Sequence, residues 1–128
     1  MELRPSPREI CKKLADALEA LEGRRFMIGL TKHLIGDLEE LGLDSADDLP
    51  GLLIELLKEI RGANPIQCYA GTKPPQRSYE DEIRKPELWA YSWNSSRFGK
   101  QMYLKFALKN GLYVYVDCHE DRPPEERL

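Results

Sequence analysis

The sequence predicts an α+β fold: N-terminal helices packed on one face of a small, twisted antiparallel sheet of three to four strands. Two patterns and the break between them carry this. Up to Gly62 the apolar residues recur at helical spacing, and from Leu88 they alternate with smaller or polar ones at the period of a strand. Pro65, Gly71, Pro74 and Pro75 separate the two regimes.

Ser6-Pro7-Arg8-Glu9 has the form of a capping box with proline at the first helical position. Ile10, Leu14, Leu18 and Leu21 then recur on one face until Gly23, a residue suited to ending a helix. Phe26-Met27-Ile28 reads as a short apolar link. Thr31 is the N-cap expected for a second helix, whose stripe is Leu34, Ile35, Leu38 and Leu41 before Gly42. Gly36 inside it costs ~1 kcal/mol relative to alanine. Ser45 or Asp48 caps a third helix, with Pro50 in its first turn and a wide apolar face of Leu49, Leu52, Leu53, Leu56, Leu57 and Ile60. Residues 62–87 read as loop, with a short edge strand at 66–69 and one helical turn at 79–85. Residues 88–94 form a strand in which Trp89, Tyr91 and Trp93 alternate with smaller side chains. Asn94-Ser95-Ser96 and Gly99 supply a turn, and residues 101–108 and 112–119 are two further strands.

The chain of 128 residues fits one domain: a helical part at 1–62, loop and sheet at 63–121, and a polar tail at 122–128. With 41% apolar and 32% charged residues it is globular rather than disordered. No apolar run approaches the ~20 residues of a membrane span, and MELRPSPREI lacks the apolar core of a secretion signal. Three cysteines without CxxC spacing argue against a disulfide framework or a structural zinc site, which leaves a cytoplasmic, cofactor-free protein as the expectation. Charge is unevenly distributed: residues 1–60 hold 8 basic and 13 acidic side chains, residues 61–112 hold 9 and 4, and residues 113–128 hold 2 and 5. The basic middle reads either as a localised anion-facing patch or as an uneven scatter of surface charge.

The last two strands decide which side chains meet. A two-residue Asn110-Gly111 turn, extended as a regular ladder, sets Leu104 beside Asp117 and Met102 beside His119, mixing core and solvent on both faces. A three-residue loop with Gly111 left-handed pairs Leu108 with Leu112 instead. It gathers Met102, Leu104, Phe106, Leu108, Leu112, Val114, Val116 and Cys118 on a dry face. Tyr103, Lys105, Ala107, Tyr113, Tyr115, Asp117 and His119 then share a polar one. Because register follows the buried face, the second arrangement is expected. The polar face offers tyrosines on which bases stack, a cation for phosphate and a histidine that titrates near neutrality. It is equally the composition of a solvated sheet face rich in good strand formers. Asp117, His119 and Asp121 alternate along one side, but alternate residues of one strand make poor zinc geometry, so no metal site is expected.

The strand Gln101-Met102-Tyr103-Leu104-Lys105-Phe106, followed after a turn by Val114 to Val116 and Asp117-Cys118-His119-Glu120, resembles the C-terminal half of MqsR-type toxins, within the RelE-like group of bacterial mRNA interferases. Leu41 to Leu43, the leucine-rich third helix and the Trp89 strand fit the same pattern, so that the resemblance covers residues 30–121. It implies a RelE-like fold and an endoribonuclease that cleaves mRNA without a metal. The ribose 2′-hydroxyl attacks the adjacent phosphate, and an antitoxin protein is the partner. By similarity His119 and Tyr103 correspond to functional positions, with His119 as general acid or base, Tyr103 for orientation or proton transfer and Lys105 on phosphate. Arg97, Lys100, Tyr113, Tyr115 and Arg84 complete the expected RNA contacts. The chain departs from the family at Tyr69-Ala70, where a lysine is missing, and at Ala90, where a polar residue follows the strand tryptophan. These departures leave open a second reading, a non-catalytic relative or protein-interaction module that uses the aromatic sheet face.

Overall fold

A computed structural model of the chain describes residues 6–29, 31–44, 48–63, 66–71 and 88–121. The helical turn expected at 79–85 and the tail at 122–128 lie outside these residues. The elements run α1 (Pro7–Glu22), β1 (Phe26–Ile28), α2 (Thr31–Leu41), α3 (Leu49–Arg61), β2 (Gln67–Gly71), β3 (Leu88–Ser95), β4 (Lys100–Lys109) and β5 (Leu112–Glu120). No helix among the described residues is long and apolar enough to cross a membrane.

The helix starts follow their capping chemistry. Ser6 Oγ accepts from Glu9 N at 3.2 Å while Glu9 Oε1 accepts from Ser6 N at 3.3 Å, the reciprocal bonds of a capping box. At the other end of α1 the left-handed residue is Arg24, with φ 58°, rather than Gly23. Arg25 N donates to Ala20 O and Arg24 N to Leu21 O, a Schellman turn that closes the helix and directs the chain into β1. Asp48 caps α3, accepting from Gly51 N at 3.1 Å, and also pairs with Arg24 at 2.9 Å.

Phe26-Met27-Ile28 is a strand and not merely a link. It runs parallel to β5, with Phe26 opposite Tyr113 and Ile28 opposite Tyr115. The sheet is therefore five-stranded and mixed, in the order β1-β5-β4-β3-β2. Leu14, Leu18 and Leu21 of α1, with Leu53, Leu56, Leu57 and Ile60 of α3, bury against Trp89, Tyr91, Trp93, Met102, Leu104 and Phe106 on one face. On α2 the stripe is narrower than the pattern suggests: Ile35 is 54% exposed, and Asp37 occupies the buried position between Leu34 and Leu41.

The register of the final hairpin differs from the expected one in an instructive way. The turn has two residues, Asn110 and Gly111, both left-handed at φ 53° and 76°, and Lys109 pairs with Leu112. Phe106 then faces Tyr115, but Lys105 faces Asp117, so Val116 is left without a cross-strand partner. This bulge inverts the parity of β5 midway along its length. Before it, Tyr113 and Tyr115 lie on the helix-covered face, buried at 0% and 1% exposure, which corrects their expected place on the polar face. Past it, Cys118 takes that side while Asp117 and His119 turn to the other. Tyr113 stacks on Phe106 at 4.9 Å, and Phe106 on Tyr91 at 5.9 Å. Val114 and Val116, expected beside Phe106, join Leu88 and Ala107 in a separate buried cluster.

Two glycines test these local conformations in opposite directions. A Cβ at Gly36 meets nothing within 4 Å, so Gly36→Ala should stabilise by about 1 kcal/mol through helix propensity. Gly111→Ala should cost about 1 kcal/mol by forcing alanine to positive φ. Urea unfolding midpoints measure both, and the opposite order would contradict the helix and turn assignments.

Candidate functional site

On the face away from the helices, β3, β4 and β5 align their polar residues in two rows. Ser92, Tyr103 and His119 form one, and Ala90, Lys105 and Asp117 the other. The bulge at Val116 makes both rows possible, because the register of the turn alone would set Asp117 and His119 on the helix side. In the first row the Tyr103 and His119 rings stack, with centroids 5.3 Å apart and planes inclined by 23°. His119 Nδ1 lies 2.8 Å from the backbone carbonyl oxygen of Glu120. A carbonyl only accepts, so Nδ1 carries the hydrogen and Nε2 holds the lone pair of the neutral ring. In the second row Lys105 Nζ is 3.7 Å from Asp117 Oδ2 and 5.9 Å from the Tyr103 ring centroid. Beside these rows Ser92 Oγ donates to Asp121 Oδ2 and accepts from Gln101 Nε2 at 3.0 Å.

The rows are not an open platform. Tyr103 is 8% exposed and Lys105 9%, where the alternation implied side chains displayed to solvent. His119 is half-buried and is the more exposed member of the pair. An imidazole, a phenol and an ammonium group thus share one face, with the phenol ring next to each of the other two, and groups of these kinds can handle a hydroxyl and an anionic centre. Among the described residues no group of three or more His, Cys, Asp and Glu side chains could hold a metal ion.

Of the residues expected at the site, His119, Tyr103 and Lys105 are brought together. Arg97 is not. Its guanidinium meets Glu55 at 2.8 Å, and its backbone N donates to Glu59 at 3.0 Å, on the side of the sheet that carries α3. Lys100 pairs with Glu120 at 3.6 Å at the start of β4. Tyr113 and Tyr115 are core residues, and Arg84 lies outside the described residues. Glu59 also accepts from Trp93 Nε1 at 2.9 Å and Ser95 Oγ at 2.7 Å. Burial alone would raise its carboxyl, but these donors outweigh it and hold the group below its ordinary value.

The residue that sequence reasoning missed is Asp37. Its Oδ2 accepts from the Tyr115 hydroxyl at 2.6 Å and from the Cys118 backbone N at 2.8 Å, and the residue is 6% exposed. One helical turn on, Glu40 Oε2 accepts from Glu120 N at 2.8 Å. Pairing with β1 ends where Gly29 N donates to Tyr115 O, so these carboxylates meet the outward N–H groups that β1 does not reach. A signal was present, since Asp37 interrupts an apolar stripe three residues after Leu34 and four before Leu41. Burial pushes the Asp37 carboxyl from 3.8 up to about 6, against the lowering effect of its bonds from Tyr115 and Cys118. Asp117 raises it further and His119 lowers it.

Compared with family models, with curated proteins and with solved structures, the chain matches none.

The Asp37 shift has a definite sign in stability. A carboxyl whose folded value lies above its unfolded one binds a proton more tightly in the native state. It adds stability below about pH 4 that is lost as pH rises through 6. Asp37→Asn should remove that dependence. Its stability relative to the natural chain should rise between pH 4 and pH 7 by on the order of 2–3 kcal/mol. Urea unfolding across this range measures the difference, and parallel curves would contradict the burial of a titrating Asp37.

Proposed function

We propose that the chain is an RNA-binding, metal-independent endoribonuclease of the MqsR and RelE-like kind, acting on mRNA in the cytoplasm and paired with an antitoxin protein. One observation carries the reading: Tyr103 and His119 are direct cross-strand partners with stacked rings, and Lys105 is the next residue on the same face of β4. The chemistry needs a group to take the 2′-hydroxyl proton, a cation for charge gathering on phosphorus and a donor to the departing 5′-oxygen. His119 Nε2 takes or gives the proton. The Tyr103 phenol orients the ribose or relays a proton, and Lys105 meets the phosphate oxygens. The product of such attack is a 2′,3′-cyclic phosphate and a 5′-hydroxyl.

A second reading, a non-catalytic relative that serves as an interaction module, draws on the pairing of the cations. Lys105 faces Asp117, Arg97 faces Glu55 and Lys100 faces Glu120, so these three candidate phosphate contacts, all among the described residues, already have a carboxylate beside them. For cleavage, phosphate must compete with Asp117 for Lys105.

Incubation of the purified chain with RNA of mixed sequence in EDTA separates the readings. Cleavage with cyclic phosphate ends is expected, reduced at least 100-fold in His119→Ala and about tenfold in Tyr103→Phe. No cleavage by the natural chain, or equal cleavage by His119→Ala, would contradict the enzymatic reading. RNA affinity insensitive to salt would favour the interaction module.

A further inference from the structure

We infer that Asp37 is a positioning residue for the His119 and Tyr103 pair: one carboxylate oxygen bridges the β5 bulge and fixes the register that turns His119 to the polar face. The inference rests on the ribonuclease reading for its consequence but not for its geometry.

The bulge has a competitor. The Asn110-Gly111 turn sets a ladder in which Phe106 faces Tyr115 and Leu108 faces Tyr113. Continued without interruption, that ladder would bring Asp117 opposite Leu104 and His119 opposite Met102, two residues that are fully buried on the helix side. Releasing Val116 from the ladder avoids this, but a bulge leaves backbone groups unpaired and is held only where something replaces the lost bonds. Asp37 ties the two sides of the bulge together from the outer edge of β5. The Tyr115 hydroxyl reaches its Oδ2 from the residue before Val116, and the Cys118 N–H reaches the same atom from two residues after it. Slippage of β5 by one position would break the Cys118 bond and leave a buried carboxylate short of a donor.

The direction of the Cys118 N–H supports the same conclusion. Tyr113 N donates outward to Arg25 O, and Gly29 N donates to Tyr115 O, so odd-numbered residues face the β1 edge before the bulge. Beyond it Cys118 and Glu120 face that edge, and their N–H groups meet Asp37 and Glu40 from α2. Asp121 N instead donates to Gln101 O of β4. Helix α2 thus reads the parity of β5, through Asp37 at the bulge and Glu40 two residues beyond. Tyr115, Cys118, Asp117 and His119 are the titratable groups of β5 that act on Asp37, and of its two donors the Tyr115 hydroxyl stays in place in the slipped register while the Cys118 N–H moves away.

NMR of the full-length chain tests this directly. Leu104 and Cys118 face each other as a pair not bonded to one another, so their Hα protons approach closely in this register and separate in the slipped one. Asp37→Leu, which removes both acceptors at similar volume, should abolish that cross-peak and speed Cys118 amide exchange at least tenfold relative to the amides of β3. RNA cleavage should fall at least 100-fold in kcat with KM little changed. Asp37→Asn keeps an acceptor oxygen and should restore the cross-peak and most of the activity. A retained cross-peak and unchanged Cys118 protection in Asp37→Leu would overturn the inference. Should Asp37→Leu not fold, Tyr115→Phe removes one arm of the bridge; faster Cys118 exchange supports the inference, and no change overturns it. Loss of register in Asp37→Leu, with no RNA cleavage by the natural chain, would uphold the bridge and remove the ribonuclease reading alone.

Discussion

One residue without a cross-strand partner, Val116, decides which side chains the second half of β5 turns to each face of the sheet. Two local preferences in the last hairpin are incompatible within a single regular ladder. Asn110 and Gly111 favour a two-residue turn, because both accept the left-handed backbone that such a turn needs. The alternation beyond residue 116 demands that Cys118 face the core and that Asp117 and His119 face away. The bulge satisfies both. It places Tyr113 and Tyr115 under the helices in the first half of β5 and frees the polar face in the second. The contacts that Asp117 and His119 make on that face depend on the switch.

The bulge in turn depends on what covers the edge of β5. Strand β1 is only three residues long and its pairing stops at the bulge, so the remaining edge would present unpaired donors. Helix α2 answers with two carboxylates spaced three residues apart, which reach the same side of a helix. Burying Asp37 is unfavourable for the charged form, as its raised carboxyl shows, and the cost is offset by two donors, of which the Cys118 N–H is in place only when β5 is correctly registered. A polar residue inside an apolar stripe therefore contributes specificity of register rather than bulk stability. A similar economy operates at the other end of the sheet, where Glu59 ties α3 to Trp93, Ser95 and the turn after β3.

The helices were legible because each carries its own start, face and stop within a dozen residues. The capping box at Ser6 and the leucines of α1 and α3 need no distant partner to be recognised. β1 was not legible, since three apolar residues show no period and its partner lies far along the chain. That Tyr103, Lys105 and His119 share a face is legible in the sequence, for an incomplete reason, but the burial of Tyr103 and Lys105 there is not. The sequence contains evidence for the turn and evidence for the face, but periodicity assigns one register to the whole strand. Tyr113 and Tyr115 were misplaced because their parity belongs to the other side of the bulge. Asp37 was visible as an acidic residue at a buried helical position, although only the fold shows which strand it meets. Ser92 and Gln101 offered no such mark, and Arg97 gave no sign that Glu55 would claim it.

What these constraints produce is a small cluster of a half-buried imidazole, a phenol stacked on it and a paired ammonium group alongside. We propose that it takes a ribose-phosphate backbone. The most direct measurement is an NMR titration with a short RNA carrying 2′-O-methyl ribose throughout, so that the attacking hydroxyl is blocked and no cleavage occurs. The His119 and Tyr103 ring resonances should shift together and saturably, while those of Tyr113 and Tyr115 in the core stay in place. Binding that leaves His119 and Tyr103 unmoved, or no binding at any concentration at low salt, would contradict the assignment of this face to RNA.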